Sequence, residues 1–303
     1  MIRTVTLSAL LSLSPLVASA QPLPSVESVV VTGTRSPQAL SDFVGEVAEP
    51  TKLIGKMARW ERPVCVLVQG LNPDAVALIT GRIQKVAVGA GARINADPKC
   101  RPNVQIVFTT EPQALVDDIR KNQTNLLGFH RTLGQLAQLA TFHGPVQAWY
   151  MTATRDVRGK LQTDDSRTQG MELVYDVGQP PLILPSGRAF AVTGSRLGDG
   201  LRANLHHVVI IADPTRLLDQ EVGPVADYLS MMALSQMQKL DRCQSLPSIT
   251  NLLVADCPRI PVGLSDIDLG YLRGLYHMEP GRARGVQMHQ IIYQMQREVL
   301  KDE

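Results

Sequence analysis

Aromatic side chains are scarce in this sequence, at 4% against 44% hydrophobic residues overall. A sizeable core must therefore be filled by Leu, Val, Ile, Ala and Met, and the hydrophobic content excludes wholesale disorder. Charge of either sign is also nearly balanced, at a formal +2. Nothing in that balance points to nucleic acid or to an anionic membrane. No two cysteines stand close enough in sequence for a thiolate zinc knuckle. Asp156 to Asp165 lacks the spacing of a calcium loop, and no Gly-x-Ser-x-Gly elbow occurs. Gly194, Gly198 and Gly200 are followed by neither Lys-Ser/Thr nor a helix start, which excludes a phosphate-binding loop and leaves a hairpin. Past residue 20 no apolar run reaches membrane-spanning length. No repeat or low-complexity tract is present.

What is present begins with an export signal. Arg3 supplies a positive start, Val5 to Val17 an apolar run too short to span a bilayer, and Ala18-Ser19-Ala20 a small-x-small cleavage site. Residues 1–20 are expected to be a signal peptide cleaved after Ala20, giving a periplasmic or secreted protein. An uncleaved anchor is the alternative, against which Ala-Ser-Ala argues. In an exported chain an even cysteine count reads as disulfides, and four cysteines allow three connectivities. The expected pairs are Cys65–Cys100 and Cys243–Cys257, each of which closes a local loop.

Residues 21–60 read as an extended leader and linker, opened by Pro22 and Pro24. Within it, Val29-Val30-Val31-Thr32-Gly33-Thr34-Arg35 resembles the signature near the mature N-terminus of TonB-dependent outer-membrane receptors. No receptor barrel can follow in so short a chain. The resemblance implies a short edge, Val29, Val30, Val31 and Thr32, that pairs with a partner strand. A TonB-system component is one such partner; the bland alternative is an ordinary Val-rich strand. From residue 61 the pattern alternates strand and helix. Val64 to Val68 is a strand. Asn72-Pro73 starts a helix with Val76, Ile79, Ile83 and Val86 on one face, ended by Gly89-Ala90-Gly91. Val104 to Phe108 is a strand, and Thr110 with Gln113 reads as a capping box for the helix carrying Leu115 and Ile119. A short helix over Thr132 to Ala140 and strands over Val146 to Ala153 and Ala189 to Thr193 follow. Gly159, Asp164-Asp165, Pro180-Pro181 and Pro185-Ser186-Gly187 mark turns.

The C-terminal half carries the most organised stretch. A strand, His207 to Ile211, leads to an apolar helix from Pro224 to Leu240. After it come the loop Cys243 to Cys257, which contains Ser248-Ile249-Thr250, and a helix opening on Leu264-Ser265-Asp266 and ending at Leu275-Tyr276. This order resembles the C-terminal half of the matrixin-type zinc peptidases of the zincin fold. The resemblance implies an α+β, zincin-like domain over residues 61–280: a mixed β-sheet backed by helices, a buried central helix and a C-terminal helical subdomain. Residues 281–303 form an amphipathic helix with Met288, Ile292, Met295 and Val299 on one face.

The same resemblance exposes a missing centre. The central helix has no His-Glu-x-x-His, the pair that holds catalytic zinc with its general base. Alignment places Asp227 and Met231, or Ala226 and Ser230, at the two histidine positions, and Thr250 stands where the family turn has Met. No histidine lies between His207 and His277 to supply a third ligand. His130, His143, His206, His207, His277 and His289 are otherwise scattered. On a regular strand His206 and His207 point to opposite faces. Asp266 and Asp268, two apart on a helix, do not face each other. No metal, cofactor or catalytic residue is therefore assigned. The expected function is a non-catalytic zincin-like protein binding a peptide or an envelope protein. A hydrolase with an unrecognised site and a structural envelope protein are the alternatives.

Overall fold

Helix α2, Pro73–Ala90, starts where the sequence places it. Asn72 accepts the Ala75 amide at 2.9 Å, and Pro73 occupies the first turn. Gly91 closes the helix at φ 93°, a left-handed conformation that favours glycine. The computed structural model describes residues 36–164, 190–195, 198–238, 241–258 and 260–299, with the backbone of 169–174 and 182–187. The signal segment, residues 21–35 with Val29, Val30, Val31 and Thr32, and the Pro180-Pro181 turn lie outside the described residues.

The fold is α+β. Strands β1 (Val66–Gln69), β2 (Val104–Phe108), β3 (Val146–Arg155), β4 (Leu161–Thr163) and β7 (Arg202–Ala212) form an open mixed sheet in the order β1-β2-β7-β3-β4. β1, β2 and β7 run parallel, and β3 runs antiparallel to β7 and β4. β5 (Gln169–Val174) and β6 (Leu182–Gly187) pair as a separate two-stranded sheet. Pro185, read from the sequence as turn punctuation, lies within β6 opposite Met171. Residues 190–193, read as a strand, carry no regular structure. Asp164 is not a turn residue at the surface: it is buried, and it accepts the hydroxyls of Thr152 at 2.6 Å and Thr154 at 2.8 Å.

Alternate residues of the central strands feed two cores. On one face Val104, Ile106, Val208 and Ile210 meet α2, α5 (Val222–Leu234) and α6 (Asp266–His277). On the other, Trp149, Val209 and Ile211 meet Val116 and Ile119 of α3 (Pro112–Asn122), with α4 (Leu133–Leu139) alongside. Thr110 does not cap α3; its N-cap is Glu111, whose side chain makes no cap bond. Gln113 instead ties α3 to the segment after α4, giving a bond to Ala140 O and taking one from the Phe142 amide.

Helix α5 is buried on all sides from Val225 to Leu234, as its uniform apolarity requires. It stops at Leu234 rather than Leu240. The Ser235 hydroxyl turns back to Met231 O, and Met237 forms an isolated bridge with Ala48. Leu229 is fully buried, so Leu229→Ala is expected to cost about 2–5 kcal/mol of stability. Urea denaturation reads this, and a loss below about 0.5 kcal/mol would mean a surface helix.

The stretch 21–60, expected to be extended, forms helix α1 over Pro37–Val47, capped by the Ser36 hydroxyl. Leu40, Phe43, Val44 and Val47 recur at helical spacing and are buried in the main core, where Phe43 meets Tyr271 edge-on with ring centroids 6.2 Å apart. Helix α7, Arg284–Val299, packs on α6 and α1. Its innermost positions are Gln287, Ile291, Met295 and Glu298, one step round from the apolar stripe read in the sequence. Two of them are polar because they have partners: Gln287 takes the Met57 amide at 3.0 Å, and Glu298 pairs with Arg273.

The disulfides are Cys65–Cys100 and Cys243–Cys257, as expected, and no described cysteine is free. Among the described residues no helix is long and apolar enough to cross a membrane.

Candidate functional site

β4 covers only the far end of β3, pairing residues 153–155. The rest of β3 has an open edge. Because Gln147, Trp149 and Met151 face β7, the alternation of an antiparallel ladder turns the backbone groups of Val146, Ala148 and Tyr150 outward. Among the described residues no partner takes the amide or carbonyl of Ala148. This edge forms the floor of a groove of about 630 Å³. One wall is Leu127, Gly128 and Phe129; the other is Tyr228 and Met232 of α5, continuing through Gln236, Met237 and Gln238. Gly128 is required where the first wall crosses the edge: at φ 87°, a Cβ there would lie 2.7 Å from Tyr150 O.

Helix α5 thus presents positions other than those the sequence alignment selected. Asp227 turns away from the groove and pairs with the Arg82 guanidinium, which raises the arginine's pKa further. It also accepts the Leu264 amide at 3.1 Å. Ala226, Ser230 and Met231 face the core, and the Ser230 hydroxyl is spent on Ala226 O at 2.7 Å. The groove-facing residues are Tyr228 and Met232, one helical turn apart, followed by Gln238 after the helix ends. Burial pushes the Tyr228 phenol up to about 12 and the Tyr150 phenol higher still. Gln238 is occupied, giving its amide to Gly45 O at 3.0 Å and Ala48 O at 2.9 Å. From α5 and its extension, a phenol, a thioether and a bound amide give a divalent metal no anionic or imidazole ligand; Glu49, His143 and Asp241 also line the groove but are not gathered into a group that could hold one. No group of three or more His, Cys, Asp or Glu among the described residues could hold a metal ion.

Beneath α5 lies the Ser248-Ile249-Thr250 turn, a 3-10 helix over Ile249–Asn251 that is wholly buried. Asp268 ties it to α6. Ser265 is the N-cap of α6, with Asp266 in the first turn, and it forms a reciprocal capping box with Asp268. Asp266 is exposed and Asp268 buried, so the two carboxylates do not work together.

One histidine expectation is corrected by the strand itself. The β3–β7 register slips between Met151 and Thr152: Met151 stands opposite His207 and Thr152 opposite Leu205. His206 is the extra residue of a β-bulge, which re-aims side chains. His206 and His207 consequently line one cleft on the α3 side of the sheet rather than opposite faces. The signal was in the sequence as a phase slip: Ala203 and Leu205 face the main core, and so do Val208, Ile210 and Ala212. Val209 and Ile211, apolar for the second core, mask it. His130, His143, His277 and His289 do not join them.

No family model, curated protein or solved structure matches this chain.

Proposed function

We propose that this protein binds an extended peptide, or an extended segment of an exported protein, by adding it as a strand to the open edge of β3. The observation that carries this is the unpartnered backbone of Ala148 at the floor of a groove with two side-chain walls. Main-chain hydrogen bonds would supply affinity, and alternate side chains of the peptide would enter the space beside Tyr228 and Met232. The zincin resemblance fits this reading. Tyr228, Met232 and Gln238 have the i, i+4, i+10 spacing of a metzincin ligand set, and they stand beside the edge strand without ligand chemistry. A groove beside an open edge strand, with no metal-holding group among the described residues, is suited to holding a peptide. The short edge Val29-Val30-Val31-Thr32 would be a second contact for an envelope partner, and deleting residues 27–35 would then weaken partner capture with little change in melting temperature.

Selection of a phage-displayed random peptide library on the purified protein tests the proposal. Selected peptides should bind in a 1:1 ratio, and N-methylation of an amide facing β3 should weaken binding about tenfold, the worth of one hydrogen bond. Ala148→Pro should do the same from the protein side. It removes an outward N–H while sparing the ladder to β7, so the melting temperature should change little. Binding that tolerates N-methylation at every position would sink the strand-addition idea. Zinc-dependent cleavage of the peptides, abolished by a chelator, would show a peptidase instead.

A further inference from the structure

We infer that the cleft holding His206 and His207 is a binding site for a small oxyanion, a carboxylate or phosphate group carried on a polar molecule. This site is on the opposite face of the sheet from α5 and does not depend on the groove reading. The cleft measures about 710 Å³. Arg62 and Arg101 stand exposed at its rim, and Gln123 and Asn125 contribute neutral amides that suit hydroxyl or amide groups beside the charge.

The histidine tautomers decide the sign of the ligand. His206 Nδ1 and His207 Nε2 are buried and meet no hydrogen-bond partner. A buried N–H without an acceptor leaves a donor unsatisfied and loses its hydration. The proton of each neutral ring is therefore best placed on the other nitrogen, His206 Nε2 and His207 Nδ1. Neither of these nitrogens has a protein partner among the described residues, so each ring offers a free donor. Two imidazole N–H groups and two guanidinium groups then line one cavity, which suits an oxyanion and opposes a cation. The opposing charge is Asp164, whose two oxygens are already held by Thr152 and Thr154 and whose carboxyl is pushed up by burial.

The site is also held in place. The Cys65–Cys100 disulfide fixes the segment carrying Arg101 beside the start of β1, which follows Arg62 and Pro63. Asn103 locks the same corner, taking the Cys65 amide at 2.8 Å and giving its own amide to Pro63 O at 3.0 Å. Burial, the neighbouring His206 and Arg101 together hold the His207 imidazole down at about 4. His206 is lowered by burial and by Arg62 and Arg101. A bound anion reverses that balance and draws a proton onto the ring, so binding tightens as pH falls.

Calorimetric titration of the full disulfide-bonded protein tests the assignment. Sulfate, whose charge is fixed across the range, should bind saturably at 1:1 and about tenfold more tightly at pH 5 than at pH 7.5, the effect of a ring pKa raised toward its ordinary value. At pH 7.5, phosphate against citrate tells which oxyanion source the cleft prefers. Arg101→Gln is exposed and should leave the fold intact while weakening the preferred anion at least about tenfold; His207→Gln should match it and abolish the pH dependence. Lys85→Gln, on α2 across the sheet, should change nothing. The assignment fails if none of the three anions saturates, or if Lys85→Gln weakens binding as much as Arg101→Gln. It also fails if the cleft binds zinc or nickel at 1:1 through His207.

Discussion

Replacing Gly274 by leucine is expected to lower the unfolding free energy by about 3–6 kcal/mol, the burial of Ile291 and Met295 together. A Cβ at Gly274 would lie 2.8 Å from Ile291 Cα and 2.9 Å from Ile291 O, so it meets backbone that cannot swing aside. Gly270, one turn earlier on α6, faces Met295 Cα at 3.1 Å in the same way. Two glycines one helical turn apart let α6 and α7 approach at backbone distance, and any side chain at Gly274 separates them. The apolar seam then opens along its length. Guanidinium denaturation measures the loss, and limited proteolysis within residues 284–299 should accelerate with it. A Gly274→Leu protein within about 1 kcal/mol of the parent would show that α7 is dispensable to the core.

Asp268→Ala is expected to cost about 3–5 kcal/mol through two orphaned backbone N–H groups and half of a capping box rather than lost packing. The buried carboxylate accepts from the Ser248 hydroxyl, the Ile249 amide at 2.9 Å, the Ser265 amide at 2.9 Å and the Ser265 hydroxyl at 2.8 Å. Burial pushes this carboxyl up, and the four donors pull against that shift. Alanine leaves the Ile249 and Ser265 backbone N–H groups facing nothing and removes the carboxylate half of the α6 capping box, while the Ser248 hydroxyl keeps Thr250 Oγ1 at 2.7 Å and the Ser265 hydroxyl keeps the amide of residue 268. Asp268→Asn keeps the volume but puts an N–H₂ among donors, so it should recover less than half of the loss. Thermal melts of the two variants measure this; an Asn variant as stable as the parent would mean the donors have other acceptors.

Asp268 also shows why some of this structure was legible and some was not. Local signals were read correctly where one residue type has one job. Asn72-Pro73 began a helix, and the apolar run after Pro224 became a buried one. The cysteine pairs followed loop closure. Long-range partners were not readable. Nothing near Asp227 in sequence announces Arg82, 145 residues away, and without that pair the groove face of α5 could not be chosen. Pro37 to Val47 was missed for a related reason. Its apolar stripe is short, and its partners lie on α6 and α7, more than two hundred residues later. The histidine cleft was missed because a bulge depends on its partner strand, and β3 lies about fifty residues before β7 in the chain. The open edge of β3 follows from the brevity of β4, which no residue of β3 itself records.

The placement of α7 sets the order in which the chain can be finished. Helix α1 is the first described element to be synthesised, and α7, which covers it, follows all the others. Until α7 emerges, Leu40, Phe43, Val44 and Val47 have only part of their cover. Between the synthesis of α1 and that of α7 a growing chain therefore carries open hydrophobic surface. Exposed hydrophobic surface of this kind is prone to aggregation, so the docking of α7 is the step that ends the exposure.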